Sequence, residues 1–224
     1  VGAAIAEKFL EARLGSTMMQ HKIYAYISDG GVQEEISQGA GRIAGLFKLN
    51  NLIMFYDANE IQLSTECDVV MRENTRMKYE SWGWNVLEIN GNDPDEIRAA
   101  LILANKEEHR PTLIIGHTVM AKGARKEDGS SYERSVKTHG APLGGGAYEN
   151  TVKNLGGDLN DPFVVFDDVK ELYEKRNAEL REVVKERHAA ETEWRKANPE
   201  KAEQMDAWFS GNAPKVDWSE LVQK

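Results

Sequence analysis

Four short apolar runs alternate with stretches of helical spacing. Residues 23–27 (Ile23-Tyr24-Ala25-Tyr26-Ile27) and 52–56 (Leu52-Ile53-Met54-Phe55-Tyr56) each end in a polar cluster, and residues 85–89 and 112–115 complete the set. Helical spacing runs from about 34 to 47. A second helix is predicted from Asp93-Pro94-Asp95-Glu96 to about Glu107, with Asp93 as the cap, Pro94 in the first turn and Glu96 closing a capping box. Pro111 marks the entry to the fourth run, and the opening residues, 1–6, read as helix interior. Near-continuously apolar strands of about five residues, separated by helices, predict a mostly parallel sheet covered on both faces, a doubly wound α/β fold.

Periodicity disappears over residues 120–146, a glycine-rich and charged stretch that predicts a functional loop. From 167 to about 197 a long charged helix is expected, with Val169, Leu172, Tyr173, Leu180, Val183, Val184 and Trp194 as an apolar stripe. Glu171 with Lys175 and Glu191 with Arg195 are i, i+4 pairs on its solvated side. Pro199 ends it, a short helix follows to about Phe209, and 210–224 reads as a linker tail. The expected division is one α/β domain over 1–160 and a helical linker with its tail over 161–224.

The chain has 224 residues and a formal net charge of −9, which argues against a nucleic-acid partner held by phosphate neutralisation. The single cysteine, Cys67, excludes an internal disulfide and a cysteine metal site, and a reducing, cytoplasmic setting is expected. No apolar run approaches a membrane span. The first residue is Val1 rather than Met, and the chain reads as a piece of a longer protein.

In open α/β sheets ligands bind at the carboxyl ends of the parallel strands. Ser28-Asp29-Gly30-Gly31 follows the first run and Asp57-Ala58-Asn59 the second. Glycines allow close backbone approach, and a following helix offers free N–H groups to an anion. Asp29 adds a carboxylate, and Mg²⁺ binds through one or two protein oxygens plus phosphate oxygens. Asn59 can supply a second, neutral oxygen. The pair reads as a metal–diphosphate site, against a simple turn at Asp29-Gly30-Gly31 and a simple cap at Asp57-Ala58-Asn59. A nicotinamide site lacks its third glycine, and no Gly-Lys-Ser/Thr occurs for a P-loop. Cys67, His21, His109, His117 and His188 read as packing or surface residues, and Lys122 as a solvated lysine. His139, in Thr138-His139-Gly140-Ala141-Pro142-Leu143-Gly144, lies between small residues that let a side chain approach a ligand.

At these residues the sequence resembles the transketolases, which use thiamine diphosphate. Ile27-Ser28-Asp29-Gly30 through Asp57-Ala58-Asn59 resembles the Gly-Asp-Gly…Asn motif of thiamine-diphosphate enzymes, and His139-Gly140-Ala141-Pro142-Leu143-Gly144 the more specific transketolase signature. The resemblance covers about 1–211. It implies the diphosphate-binding domain of such an enzyme, with Mg²⁺ (or Ca²⁺) on Asp29, the Asn59 side chain and the Ile61 carbonyl. Gly30 and Asn59 would touch the diphosphate, and Leu63 and Met120 would pack on the thiazolium. His139 would reach diphosphate and substrate, and Glu34 would be a buried interface carboxylate linking paired active sites. Ser28 replaces the motif's first glycine, Glu35 and Gly39 stand where the family often has Gly and Glu, and Lys122 stands where an aromatic is common.

The activity implied is transfer of a two-carbon ketol unit from a ketose phosphate to an aldose phosphate. It needs the aminopyrimidine-binding domain, from the same gene product or a partner subunit, and a homodimer is expected, with no nucleic-acid or membrane partner. The rival readings are a 2-oxoacid dehydrogenase component or a deoxyxylulose-phosphate synthase, and, from another class, a non-catalytic assembly subunit.

Overall fold

A computed structural model describes residues 1–212, so most of the expected tail over 210–224 lies outside the described residues. The chain divides into two compact units. The first comprises Val1–Lys8 and His21–Val165, and the second comprises Phe9–Gln20 and the chain from Phe166 on. Helix α1 (Gly2–Leu14) contributes its first residues to one and its last to the other.

The first unit is built on β1 (Ile23–Ser28), β2 (Leu52–Ala58), β3 (Asn85–Asn90) and β4 (Thr112–His117), all parallel, in the order β1-β2-β4-β3. Each strand begins where its apolar run predicts and continues one or two residues further, into the polar cluster. The helices are α3 (Asp29–Gln33), α4 (Glu35–Leu46), α5 (Thr75–Ser81), α6 (Pro94–Lys106) and α7 (Gly145–Asn154). The helix expected from about 34 thus starts five residues earlier and breaks at Glu34, whose ψ of 133° is extended. Helices α5 and α7 escaped the periodicity because each is short and carries few apolar residues. Asn74 caps α5 by accepting the Met77 N–H at 2.9 Å.

Residue parity divides the core. On one face Leu52, Tyr56, Leu113 and Ile115 pack with Val32, Ala44, Tyr79 and Trp84; on the other Ile53 and Ile114 pack with Ala100 and Ala104 of α6. The central strand β4 is apolar and buried on both faces, as a covered parallel strand should be. The edge strands alternate instead, and Tyr24 and Tyr26 of β1 are exposed, so cover on both faces holds only at the centre. Helix α4 lies hard against the Trp82–Trp84 turn. A Cβ at Gly45 would stand 1.8 Å from the Trp82 carbonyl oxygen, and the Trp84 indole N–H donates to the Gly41 carbonyl at 2.8 Å. Asp93 caps α6 through the N–H groups of Asp95 and Glu96. The predicted capping box does not close: Glu96 accepts the Asn90 N–H at 2.7 Å, which ties the helix to the end of β3 instead.

The second unit contains α2 (Ser16–Met19), α8 (Asp167–Ala197) and α9 (Pro199–Phe209). The Trp194 indole N–H donates to the Leu14 carbonyl at 3.2 Å, and Arg195 joins Glu191 (2.8 Å) to Asp206 (3.0 Å). Glu171 and Lys175 form no ion pair. The predicted stripe of α8 is present as a pattern, but Leu172, Tyr173, Leu180, Val183 and Val184 are exposed in this chain. Among the described residues no helix is long and apolar enough to cross a membrane.

Candidate functional site

Parallel pairing aligns Ile27 with Tyr56 and Ser28 with Asp57, which sets the carboxyl ends of β1 and β2 side by side. The chain leaves β1 through Ser28, whose extended backbone (φ −103°, ψ 176°) suits any residue, so serine in place of the motif's first glycine is sterically neutral. Asp29, 2% exposed, opens α3. One of its oxygens, Oδ1, accepts the Tyr56 hydroxyl at 2.6 Å; the other accepts the backbone N–H groups of Asn59 (3.0 Å) and Glu60 (3.1 Å). Three donors converging on one buried carboxylate offset the cost of taking it out of water.

Burial, and then the hydrogen bond to Asp29, push the Tyr56 phenol well above its ordinary value, so it stays a donor. Burial and the Asp29 charge likewise push the Cys67 thiol up to about 12. Asn59 is buried next to Asp29 and its Oδ1 accepts the Ile61 N–H at 3.0 Å, a turn that holds the amide oxygen at the strand end. Asp29, Tyr56, Asn59, Ile61, Cys67 and Arg134 line one cleft of about 570 Å³.

Above Gly30 there is open space: a Cβ there would meet no atom within 4 Å, and no unusual backbone conformation requires glycine. A cradle beside a buried carboxylate, next to free N–H groups, has the shape that a phosphate oxygen would fill. Among the described residues no three His, Cys, Asp or Glu side chains converge on a metal position. A Mg²⁺ that shares its shell with a diphosphate asks for less: one carboxylate, one amide oxygen and a carbonyl fit it. The residues present therefore suit a cation–diphosphate group.

The other expected residues separate. Met120 lines a second cleft of about 480 Å³ that it shares with Asn59, Tyr26, Phe55 and Asp57. Asp57, grouped with Asn59 in the sequence, turns to the face opposite Asp29 and accepts the hydroxyls of Tyr26 (2.7 Å) and Thr118. Leu63 is 74% exposed, and its Cδ1 would lie 3.8 Å from a Cβ at Gly140, which sets the His139 loop beside the loop after β2. His139 follows a single 3₁₀ turn, Val136–Thr138, and its Nδ1 is buried without a partner, the kind of atom that calls for a ligand or ordered water. The loop carrying it is tied down by the Arg134 N–H on the Met120 carbonyl (3.0 Å) and by Arg134 beside Glu60 (3.5 Å). Glu34 is exposed in this chain. Sequence reasoning missed Tyr56 and Cys67 as neighbours of Asp29. Strand parity carries a signal for Tyr56, since it faces away from Asp57; nothing local carries one for Cys67, which a turn after β2 brings back.

The family model for the transketolase thiamine diphosphate binding domain matches residues 1–214. The transketolase of Staphylococcus aureus is 33% identical over 99% of this chain, and Arabidopsis thaliana transketolase-1, chloroplastic, is 35% identical over 99%. The chain spans about a third of the length of these relatives, 33% and 30%. Among solved structures, transketolase from Leishmania mexicana superposes with a TM-score of 0.89 at 27% identity, covering 100% of this chain and 33% of that one. A transketolase from Pichia stipitis, solved in complex with sedoheptulose-7-phosphate, superposes at 0.85 with 25% identity, covering 96% and 32%. A motif match at Asp29 and Asn59, an α/β sheet that sets them together, and likeness over the whole length agree: the chain belongs to the transketolase thiamine diphosphate binding domain family.

Proposed function

We propose that this chain is the diphosphate-anchoring part of a transketolase that moves a two-carbon ketol unit from a ketose phosphate to an aldose phosphate. The observation that carries the reading is the buried Asp29 carboxylate beside Asn59 and Ile61, under open space at Gly30. Asp29, the Asn59 amide oxygen and the Ile61 carbonyl would hold Mg²⁺ or Ca²⁺, and the Gly30 N–H and Asn59 would meet the diphosphate. Met120, in the cleft it shares with Asn59, and Leu63, beside Gly140, are apolar surfaces for the thiazolium. Thiamine diphosphate, when bound, supplies the carbanion and electron sink that breaking a carbon–carbon bond requires.

The chain's own residues bind, orient and exclude water. His139 has a buried, unpaired Nδ1 that can donate to a diphosphate or substrate oxygen and stabilise charge there. A sugar phosphate is the substrate class, in line with the sugar bound to the Pichia stipitis relative. The domain division stands as part of the proposal, with residues 161–224 as the helical link toward an aminopyrimidine-binding domain. A homodimer is supported by α4. Ile36, Ile43, Leu46 and Phe47 are exposed along one side of it, with Glu34 at the same helix's start. Glu34, exposed in a single chain, would become a buried carboxylate only when a second chain covers it. The setting proposed is cytoplasmic.

The test is ketol transfer from xylulose 5-phosphate to ribose 5-phosphate by the full-length protein, with and without thiamine diphosphate and Mg²⁺. Transfer that depends on both supports the proposal. A folded protein that binds the cofactor without transfer points to another thiamine-diphosphate reaction, and one that does not bind it sinks the anchoring role.

A further inference from the structure

Tyr56 is a core residue with one polar atom. It is 5% exposed, sits two residues before the end of β2, and packs on the face formed by Leu52, Ala58, Val86 and Ile115. A buried tyrosine must find its hydroxyl a partner, and a phenylalanine would fill the same space without that demand. The hydroxyl goes to Asp29 Oδ1 at 2.6 Å, although the other oxygen already takes two backbone N–H groups. An ionised carboxylate offers about four acceptor positions. Three are filled here by donors from three residues, on a backbone that the β1–β2 register holds in place. Without the hydroxyl, Oδ2 would stay fixed by Asn59 and Glu60, while Oδ1 would lose its hydroxyl donor, and the neighbouring Cys67 thiol is too weak a donor to set the plane of the carboxylate in its place.

We propose that Tyr56 is a positioning residue for the cation-binding carboxylate. Its hydroxyl sets the plane of Asp29 so that one remaining lone pair of Oδ1 is presented to the divalent ion that accompanies the diphosphate. The inference rests on the reading of Asp29 as a cation ligand. It concerns orientation rather than charge, since the carboxylate is retained whatever stands at position 56. Partners that orient metal ligands typically carry ten- to a hundred-fold in metal affinity. The cation's own chemistry makes the effect selective: Mg²⁺ demands near-ideal octahedral geometry, whereas Ca²⁺ accepts variable geometry and ligand number.

The experiment uses full-length wild-type protein and Tyr56→Phe, titrated with Mg²⁺ and separately with Ca²⁺ at a fixed thiamine diphosphate concentration. Cofactor binding is read by calorimetry or by quenching of tryptophan fluorescence. Removing one hydroxyl leaves the ring and two of the three Asp29 hydrogen bonds, so the variant folds, and its cofactor-free melting temperature is recorded beside wild type. The expected result is a Mg²⁺ midpoint raised about ten-fold or more, a clearly smaller rise for Ca²⁺, and wild-type cofactor affinity restored at saturating Mg²⁺. A Mg²⁺ midpoint equal to wild type overturns the inference, as does a loss of affinity that saturating cation does not restore or that is equal for both ions. The wild-type arm keeps the two failures apart: cofactor binding there that ignores divalent cations would reject Asp29 as a ligand, whatever Tyr56→Phe does.

Discussion

Asp57 and Asp29 stand at the ends of neighbouring strands and serve opposite faces of the sheet. Asp57 is in register with Ser28, the residue before Asp29, yet it accepts the Tyr26 and Thr118 hydroxyls while Asp29 accepts Tyr56, Asn59 and Glu60. The two carboxylates should therefore fail differently. Asp29→Ala is expected to abolish Mg²⁺-dependent thiamine diphosphate binding in the full-length protein, a loss of at least 100-fold when metal and diphosphate lose a buried charged ligand. Asp57→Asn should cost about 1 kcal/mol of stability and leave the Mg²⁺ midpoint within about two-fold. Calorimetric titration of both variants decides, and unchanged binding in Asp29→Ala would end the metal assignment.

Gly30 separates stability from binding. Because a Cβ there meets nothing within 4 Å, Gly30→Ala should leave the melting temperature unchanged or slightly raised, by no more than about 1 kcal/mol of helix preference. The same methyl group would sit in the space assigned to a phosphate oxygen, so cofactor affinity should fall at least ten-fold. Wild-type affinity in this variant would show that the open space is not the diphosphate cradle.

His139→Ala should slow ketol transfer by about 100-fold, the scale of one preorganised donor lost from a site of developing charge. Thiamine diphosphate affinity should change far less, since Asp29, Asn59 and Gly30 remain. Steady-state kcat and cofactor Kd on the same preparations test this, and an unaltered kcat would remove the substrate role.

Cys67 should be inert. With the thiol pushed up to about 12, roughly one molecule in ten thousand carries a thiolate at pH 8, against about a quarter for a free cysteine. Because burial and the Asp29 charge raise the value, reactivity should stay far below that of a free cysteine and keep rising with pH well past the range where a free thiol levels off. Iodoacetamide at pH 8 should leave the native, cation-free protein unlabelled for hours and label it within minutes in guanidinium chloride. Rapid native labelling would show that the turn carrying Cys67 opens.

The α4 stripe predicts an assembly. Ile36 is 82% and Leu46 75% exposed in the single chain, too much apolar surface on one helix side for a face that stays in water. Ile36→Glu combined with Leu46→Glu should shift the full-length protein from dimer to monomer mass in light scattering. A dimer that survives both charges would place the contact elsewhere.

What the sequence determined by itself is local and periodic. Four apolar runs marked the strands to within two residues of their ends, Asp93 and Pro94 marked the start of α6, and Pro199 marked the break between α8 and α9. Spacing also singled out Asp29, Gly30 and Asn59, because strand ends in a parallel sheet are where ligands bind. Tertiary structure decided what depends on parity, register and return of the chain. A one-residue step in a strand reverses the face of a side chain, so Asp57 turns to the Tyr26 and Thr118 hydroxyls while Tyr56, one residue earlier, turns to Asp29. The capping box at Asp93 yields to a longer-range bond from Glu96 to the end of β3, and Cys67 reaches Asp29 only because the loop after β2 turns back on itself. The physical reason is one of range: periodicity and caps are interactions within a few residues, whereas a buried carboxylate draws its donors from wherever the fold can supply them.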